Sequence, residues 1–208
     1  MRKEIHILIF SLITTLALGQ TEKESFWKPY IESDRIEVEL KHYDSITFEK
    51  AYRVWTDYQV VELIKLNDST YNGTFTNFVT KHKRKNKTET IYQKIKIPNG
   101  TVKELMTSLQ KENIETLKDC SEIENYPQGF DGKTYVFEIG TEKEKRIYSY
   151  WEPENERYQN PEMPEVKNVR NMLNAINTEF DLWKYFKDFR DRLPKGSYSY
   201  GMINMIKT

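Results

Sequence analysis

The chain has 208 residues, 32 Lys+Arg balanced against 32 Asp+Glu, 38% hydrophobic residues and one cysteine. Balanced charge supplies no field for holding nucleic acid or an anionic membrane, and four Trp, fourteen Tyr and ten Phe supply too much apolar area for a disordered chain. A single globular domain with a substantial core is the class that remains.

Arg2 and Lys3 precede an uncharged apolar run over residues 7–18, and Ala17 and Gly19 stand at the −3 and −1 positions before Gln20. That order is the pattern of a secretory signal peptide. The run is shorter than the roughly 20 residues that a membrane-spanning helix needs. The reading is a cleaved segment, residues 1–19, then one domain over residues 20–208, exported to the periplasm or secreted, with no transmembrane anchor. Cys120 has no second cysteine for an internal disulfide, so the fold relies on its core.

In chain order, Ile36, Val38 and Leu40 alternate with Glu37, Glu39 and Lys41, which predicts a half-buried strand. Residues 51–97 are rich in β-branched and aromatic types and predict three or four successive antiparallel strands. Asn72-Gly73 suits a tight hairpin turn, and the basic run Lys81–Lys87 suits a polar hairpin tip. Thr101 and Glu104 form a capping-box pattern ahead of Val102, Leu105, Met106 and Leu109, predicting a short helix over residues 101–112. Tyr135, Phe137 and Ile139, then residues 146–151, predict a second hairpin. Val166, Val169, Leu173, Ile176, Phe180 and Trp183 recur at spacings of 3 and 4, predicting a long C-terminal helix or a pair joined near Thr178. The tail from Tyr198 to Ile206 can return as a strand. The fold class is α+β: an antiparallel sheet of meander and hairpins, packed on one face by a short central helix and a long C-terminal helix or helix pair.

Standard catalytic signatures are absent: no GxSxG, GxxxxGK(S/T), HExxH, CxxC or GxGxxG pattern occurs. With only His42 and His82 beyond the signal segment, an imidazole- or thiolate-rich zinc site cannot be assembled within one chain, and no cofactor is called for. Cys120 with either histidine is the minimum for a thiolate nucleophile; a buried, inert cysteine is the competing reading. The basic run either solubilises its hairpin or touches anionic lipid or glycan.

The densest cluster of special residues runs from Gln128 to Glu138 and from Tyr148 to Glu154. Gly129 and Gly132 flank Asp131 in a turn. Tyr148, Tyr150 and Trp151 beside Asp131, Glu138 and Glu152 supply rings and carboxylates, the inventory of a sugar-binding surface. The same carboxylates suit a paired-acid glycosidase, and rings at alternate strand positions equally suit a core.

The pattern Gly129-x-Asp131-Gly132-x-x-Tyr135-x-x-Glu138 followed by Trp151-x-Pro153 resembles a group of uncharacterised, signal-peptide-bearing proteins of Gram-negative bacteria with G-x-D-G-x-x-(Y/W)-x-x-E and W-x-P. The resemblance implies export. It brings no activity, ligand or catalytic residue with it.

The leading expectation is a non-catalytic exported module, binding a glycan or other envelope ligand through Asp131, Glu138, Tyr148, Tyr150, Trp151 and Glu152. The alternatives are a glycan hydrolase using Glu138, Glu152 or Asp131, and an interaction protein docking a protein partner on its C-terminal helix. No catalytic residue and no metal ligand is assigned.

Overall fold

The computed structural model describes residues 25–129 and 131–208; the expected signal segment, residues 1–19, lies outside them. Strands β1 (Lys50–Trp55), β2 (Gln59–Lys65), β3 (Tyr71–His82) and β4 (Thr88–Lys96) form the antiparallel meander that their β-branched runs predict. A second hairpin, β5 (Thr134–Thr141) with β6 (Lys145–Trp151), joins through β1, so the order is β4-β3-β2-β1-β5-β6. The tail folds as a third hairpin, β7 (Gly196–Tyr200) with β8 (Ile203–Lys207), and β7 pairs with the far end of β3.

Among the described residues four α-helices complete the α+β fold: α1 (Lys28–Glu37), the central α2 (Asn99–Lys111) and a C-terminal pair, α3 (Pro164–Phe180) and α4 (Leu182–Asp191). Strand side chains alternate in direction, so Tyr52, Val61, Phe75 and Phe137 share one face, and the apolar stripes of α2 and α3 cover it. Phe186 and Phe189 of α4 pack with Val79, Tyr198 and Tyr200 at the β7 end.

The opposite face is covered in two places. Ile31 of α1, with Val38 and Leu40, packs on Trp55, Val60, Phe78 and Val136, while Tyr43, Ile46 and Phe48 pack near Ala51 and Ile64. Helices therefore lie on both faces rather than one.

Three local expectations are overturned. Residues 36–40 are not a strand: Ile31, Arg35 and Val38 are buried at helical spacing, α1 runs through Glu37, and the chain reverses at Glu39 (φ 53°) to bury Leu40. Asn72-Gly73 lies inside β3; the turn falls earlier, where the Asn67 carboxamide accepts the Ser69 and Thr70 amides. Gly73 instead gives α2 a close approach, since a Cβ there would come within 2.6 Å of Val102. The capping box is not formed: Pro98 precedes α2 and the Thr101 hydroxyl donates to Glu179. The C-terminal helix breaks at Asp181 (φ 41°), whose carboxylate caps α4 by accepting the Lys184 amide.

Candidate functional site

Arg53 sits in the middle of an apolar strand and is fully buried, so its charge must be answered inside the sheet. It is answered from both sides. Glu62 on β2 and Glu138 on β5 stand directly opposite Arg53 in the register. Arg53 Nε donates to Glu62 Oε1 at 2.8 Å, and Nη1 reaches both Glu138 oxygens at 3.0 and 3.1 Å. Trp55 Nε1 adds a bond to Glu138, Arg53 Nη2 donates to the Lys41 carbonyl, and the Tyr43 ring lies 4.2 Å over the guanidinium. Burial alone would lower the Arg53 pKa; Tyr43, Glu138 and Glu62 together outweigh it and raise it.

Glu62 links this buried centre to the surface. Its Oε1 belongs to Arg53, whereas its other oxygen has only a long contact, 3.4 Å, from the Thr74 hydroxyl. It faces an open groove of about 720 Å³ on the part of β2, β3 and β4 that α1 and the Tyr43–Phe48 region leave bare. Ile46, Ile64 and Leu66 give the groove apolar lining, and Lys41, Lys94 and Lys96, all exposed, stand on it as well. The size falls in the range of small-molecule sites, about 300–1,000 Å³, while the lining is more polar than most of them. A second cavity, between Asp34, Asp57 and Tyr200, is only about 100 Å³. There burial, with Glu37 and Asp57 nearby, pushes the Asp34 carboxyl up to about 6.

Apart from Glu138, the residues singled out in the sequence lie elsewhere. Tyr148 and Tyr150 are fully buried and form no exposed platform; Tyr148 stacks on Phe137 at 4.9 Å. Their hydroxyls donate to the Ile114 and Lys118 carbonyls at 2.7 and 2.8 Å, and Asp119 accepts the Ser149 amide and hydroxyl. These bonds fasten residues 114–119 along the β6 edge, which needs covering. Rings at alternate positions took the core reading because Tyr148 and Tyr150 lie on the face that α2 and α3 cover.

Trp151, half-buried, holds the glycine-rich loop. Its indole donates to the Asp131 carbonyl at 2.8 Å and packs on Tyr158, and a Cβ on Gly129 would collide with the ring. Glu152, at φ 48°, accepts the Lys133 amide and the Asn155 side chain. Trp151, Glu152 and the Asp131 backbone are thus brought together, with the Asp131 side chain exposed. Glu138 belongs to the Arg53 centre, and neither cavity described above is lined by Asp131, Glu138 or Glu152.

Cys120 is buried, and burial pushes its thiol up to about 11, away from nucleophilic chemistry. His42 bonds Asp44 and His82 bonds Ser199. Lys81–Lys87 forms the β3–β4 tip as expected. Among the described residues no three His, Cys, Asp or Glu side chains converge as a metal site requires, and no helix is long and apolar enough to cross a membrane. Comparison with models of known protein families and with curated protein sequences finds no match.

Arg53, Glu62, Lys41, Lys94 and Lys96 are the site residues the sequence reading missed. The available signal was a lone charge inside each apolar strand run: Arg53, Glu62 and Glu138. Charges in such runs require partners.

Proposed function

We propose that this chain is an exported, non-catalytic binding protein and that its ligand is a small molecule seated in the β2–β4 groove. The observation that carries the reading is the groove itself: a ligand-sized concavity with apolar lining, several charged groups and one carboxylate held in place by a buried arginine. Its floor is strand rather than loop, so the side chains on it are held at fixed register.

The hydrolase alternative loses two of its three candidate carboxylates in this arrangement. Glu138 is buried on Arg53, and Glu152 clasps the Lys133 amide, so neither is poised in an open cleft with the other. Docking through the C-terminal helix loses most of its stripe as well, because Val166, Val169, Leu173 and Ile176 are buried against the sheet and only Trp183, at its far end, is exposed.

The test is a fluorescence titration of the full chain with N-phenyl-1-naphthylamine, an uncharged apolar probe, alongside the variant Ile64→Glu. Saturable binding that the variant weakens about tenfold or more, by placing a charge in the apolar lining, supports the reading. No saturable binding, or equal binding by the variant, contradicts it.

A further inference from the structure

The groove's charge is set by what Arg53 does beneath it. Three ammonium groups, those of Lys41, Lys94 and Lys96, stand on the groove with a single carboxylate, Glu62, among the residues that line it. Glu62 is paired with Arg53 through Nε at 2.8 Å and Nη2 at 2.7 Å; because Arg53 also pairs with Glu138, the triad keeps one net negative charge, and the three lysines outnumber it. Arg53 also binds the Lys41 carbonyl, which fixes the backbone that carries one of those lysines. Lys94 Nζ donates to the Glu39 carbonyl at 2.7 Å, a neutral acceptor, and lies 5.4 Å from the centre of the Tyr92 ring.

Register puts Lys94 and Lys96 two residues apart on β4, opposite Thr76 and Thr74 and on the same face as Glu62 and Ile64. The apolar residues come from β2, from Leu66 directly after it and from the Tyr43–Phe48 region; two of the three ammonium groups come from β4. The groove therefore has an apolar side and a cationic side.

From this arrangement we infer that the ligand is a small amphipathic anion. Its apolar body lies on Ile46, Ile64 and Leu66, and its acidic head sits among Lys41, Lys94 and Lys96. This inference rests on the groove being the binding site, and adds the chemical class of what enters it. Lysine ammoniums suit the head as mobile point charges that tolerate more than one anionic geometry, and the exposed setting makes the attraction sensitive to salt.

The experiment displaces N-phenyl-1-naphthylamine from the full chain, at low ionic strength, with three probes sharing one tail: dodecanoate and dodecyltrimethylammonium, each below its micelle concentration, and dodecanol below its solubility limit. Dodecanoate is expected to act at about one-tenth the concentration of dodecanol, the cationic probe more weakly than either, and added salt to shrink the difference. Lys94→Glu/Lys96→Glu, checked for an unchanged melting temperature, should remove the preference for dodecanoate; Lys94→Gln/Lys96→Gln serves if that variant folds poorly. Equal action of the three heads, preference for the cation, or a preference that survives the substitutions overturns the inference and leaves the groove as a site. Failure of the naphthylamine to bind at all overturns the groove reading itself.

Discussion

Arg53 and Glu138 face each other across β1 and β5, and the guanidinium meets both carboxylate oxygens at 3.0 and 3.1 Å. With Glu62 on the other side, three neighbouring strands share one buried charge centre. Truncating one member strands the others away from water. Arg53→Met should therefore cost about 3–5 kcal/mol, read from urea unfolding of the pure protein. Replacing all three by apolar residues of similar size should restore most of the loss, because no unpaired charge remains. A single Arg53→Met variant as stable as the wild type would contradict the assignment.

The glycine-rich loop makes a different prediction, in which the side chain of Asp131 is dispensable and the ring beneath it is not. Asp131→Ala should change stability by less than about 0.5 kcal/mol, as exposed substitutions do. Gly129→Ala should lose about 1–3 kcal/mol, because its Cβ would enter the Trp151 ring. Thermal melts of the two variants side by side test the contrast.

Tyr148 and Tyr150 are read as fasteners of residues 114–119. Tyr148→Phe and Tyr150→Phe should each cost about 1 kcal/mol, the typical net worth of a hydrogen bond, or more where the carbonyl is left without a partner. Neither should alter naphthylamine affinity measured by fluorescence, since neither ring lines the groove. A selective loss of binding in either variant would return these rings to the site.

The fold was legible wherever one periodicity dominated. The runs at Tyr52–Trp55 and Tyr135–Ile139 are dense in β-branched and aromatic residues and are strands; the stripe from Val166 to Ile176 is helical and is α3. It failed where two periods coexist: Ile36, Val38 and Leu40 alternate like a strand, while Ile31, Arg35 and Val38 repeat like a helix, and Pro29 suits the first turn of one. The candidate site was harder to see. Tyr148 and Tyr150 looked like a surface because alternation marks one face but does not say which face is wet. The groove draws on residues from Lys41 to Lys96, and no local motif records that the chain leaves part of one sheet face uncovered.

The Asp34 carboxyl, pushed up to about 6 by burial and by Glu37 and Asp57, predicts a pH effect of definite sign. A carboxyl whose folded pKa exceeds its unfolded value binds more protons when folded, so its contribution to stability falls as pH rises from about 4 to about 6. Asp34→Asn should thus stabilise the protein at pH 7, by about 1–2 kcal/mol after allowing for solvent screening, with the gain shrinking toward pH 4. Melting temperatures of wild type and variant across that range check it; a variant that loses stability at pH 7 would refute it.

The most direct measurement of the central claim is an amide chemical-shift map of the isotope-labelled chain on adding N-phenyl-1-naphthylamine. The groove account predicts perturbations confined to Ile64–Leu66, Asn72–Thr74, Lys94–Lys96 and the Ile46 region. Perturbations centred instead on Gly129–Lys133 and Trp151–Tyr158, or saturating addition with no shifts at all, would contradict it.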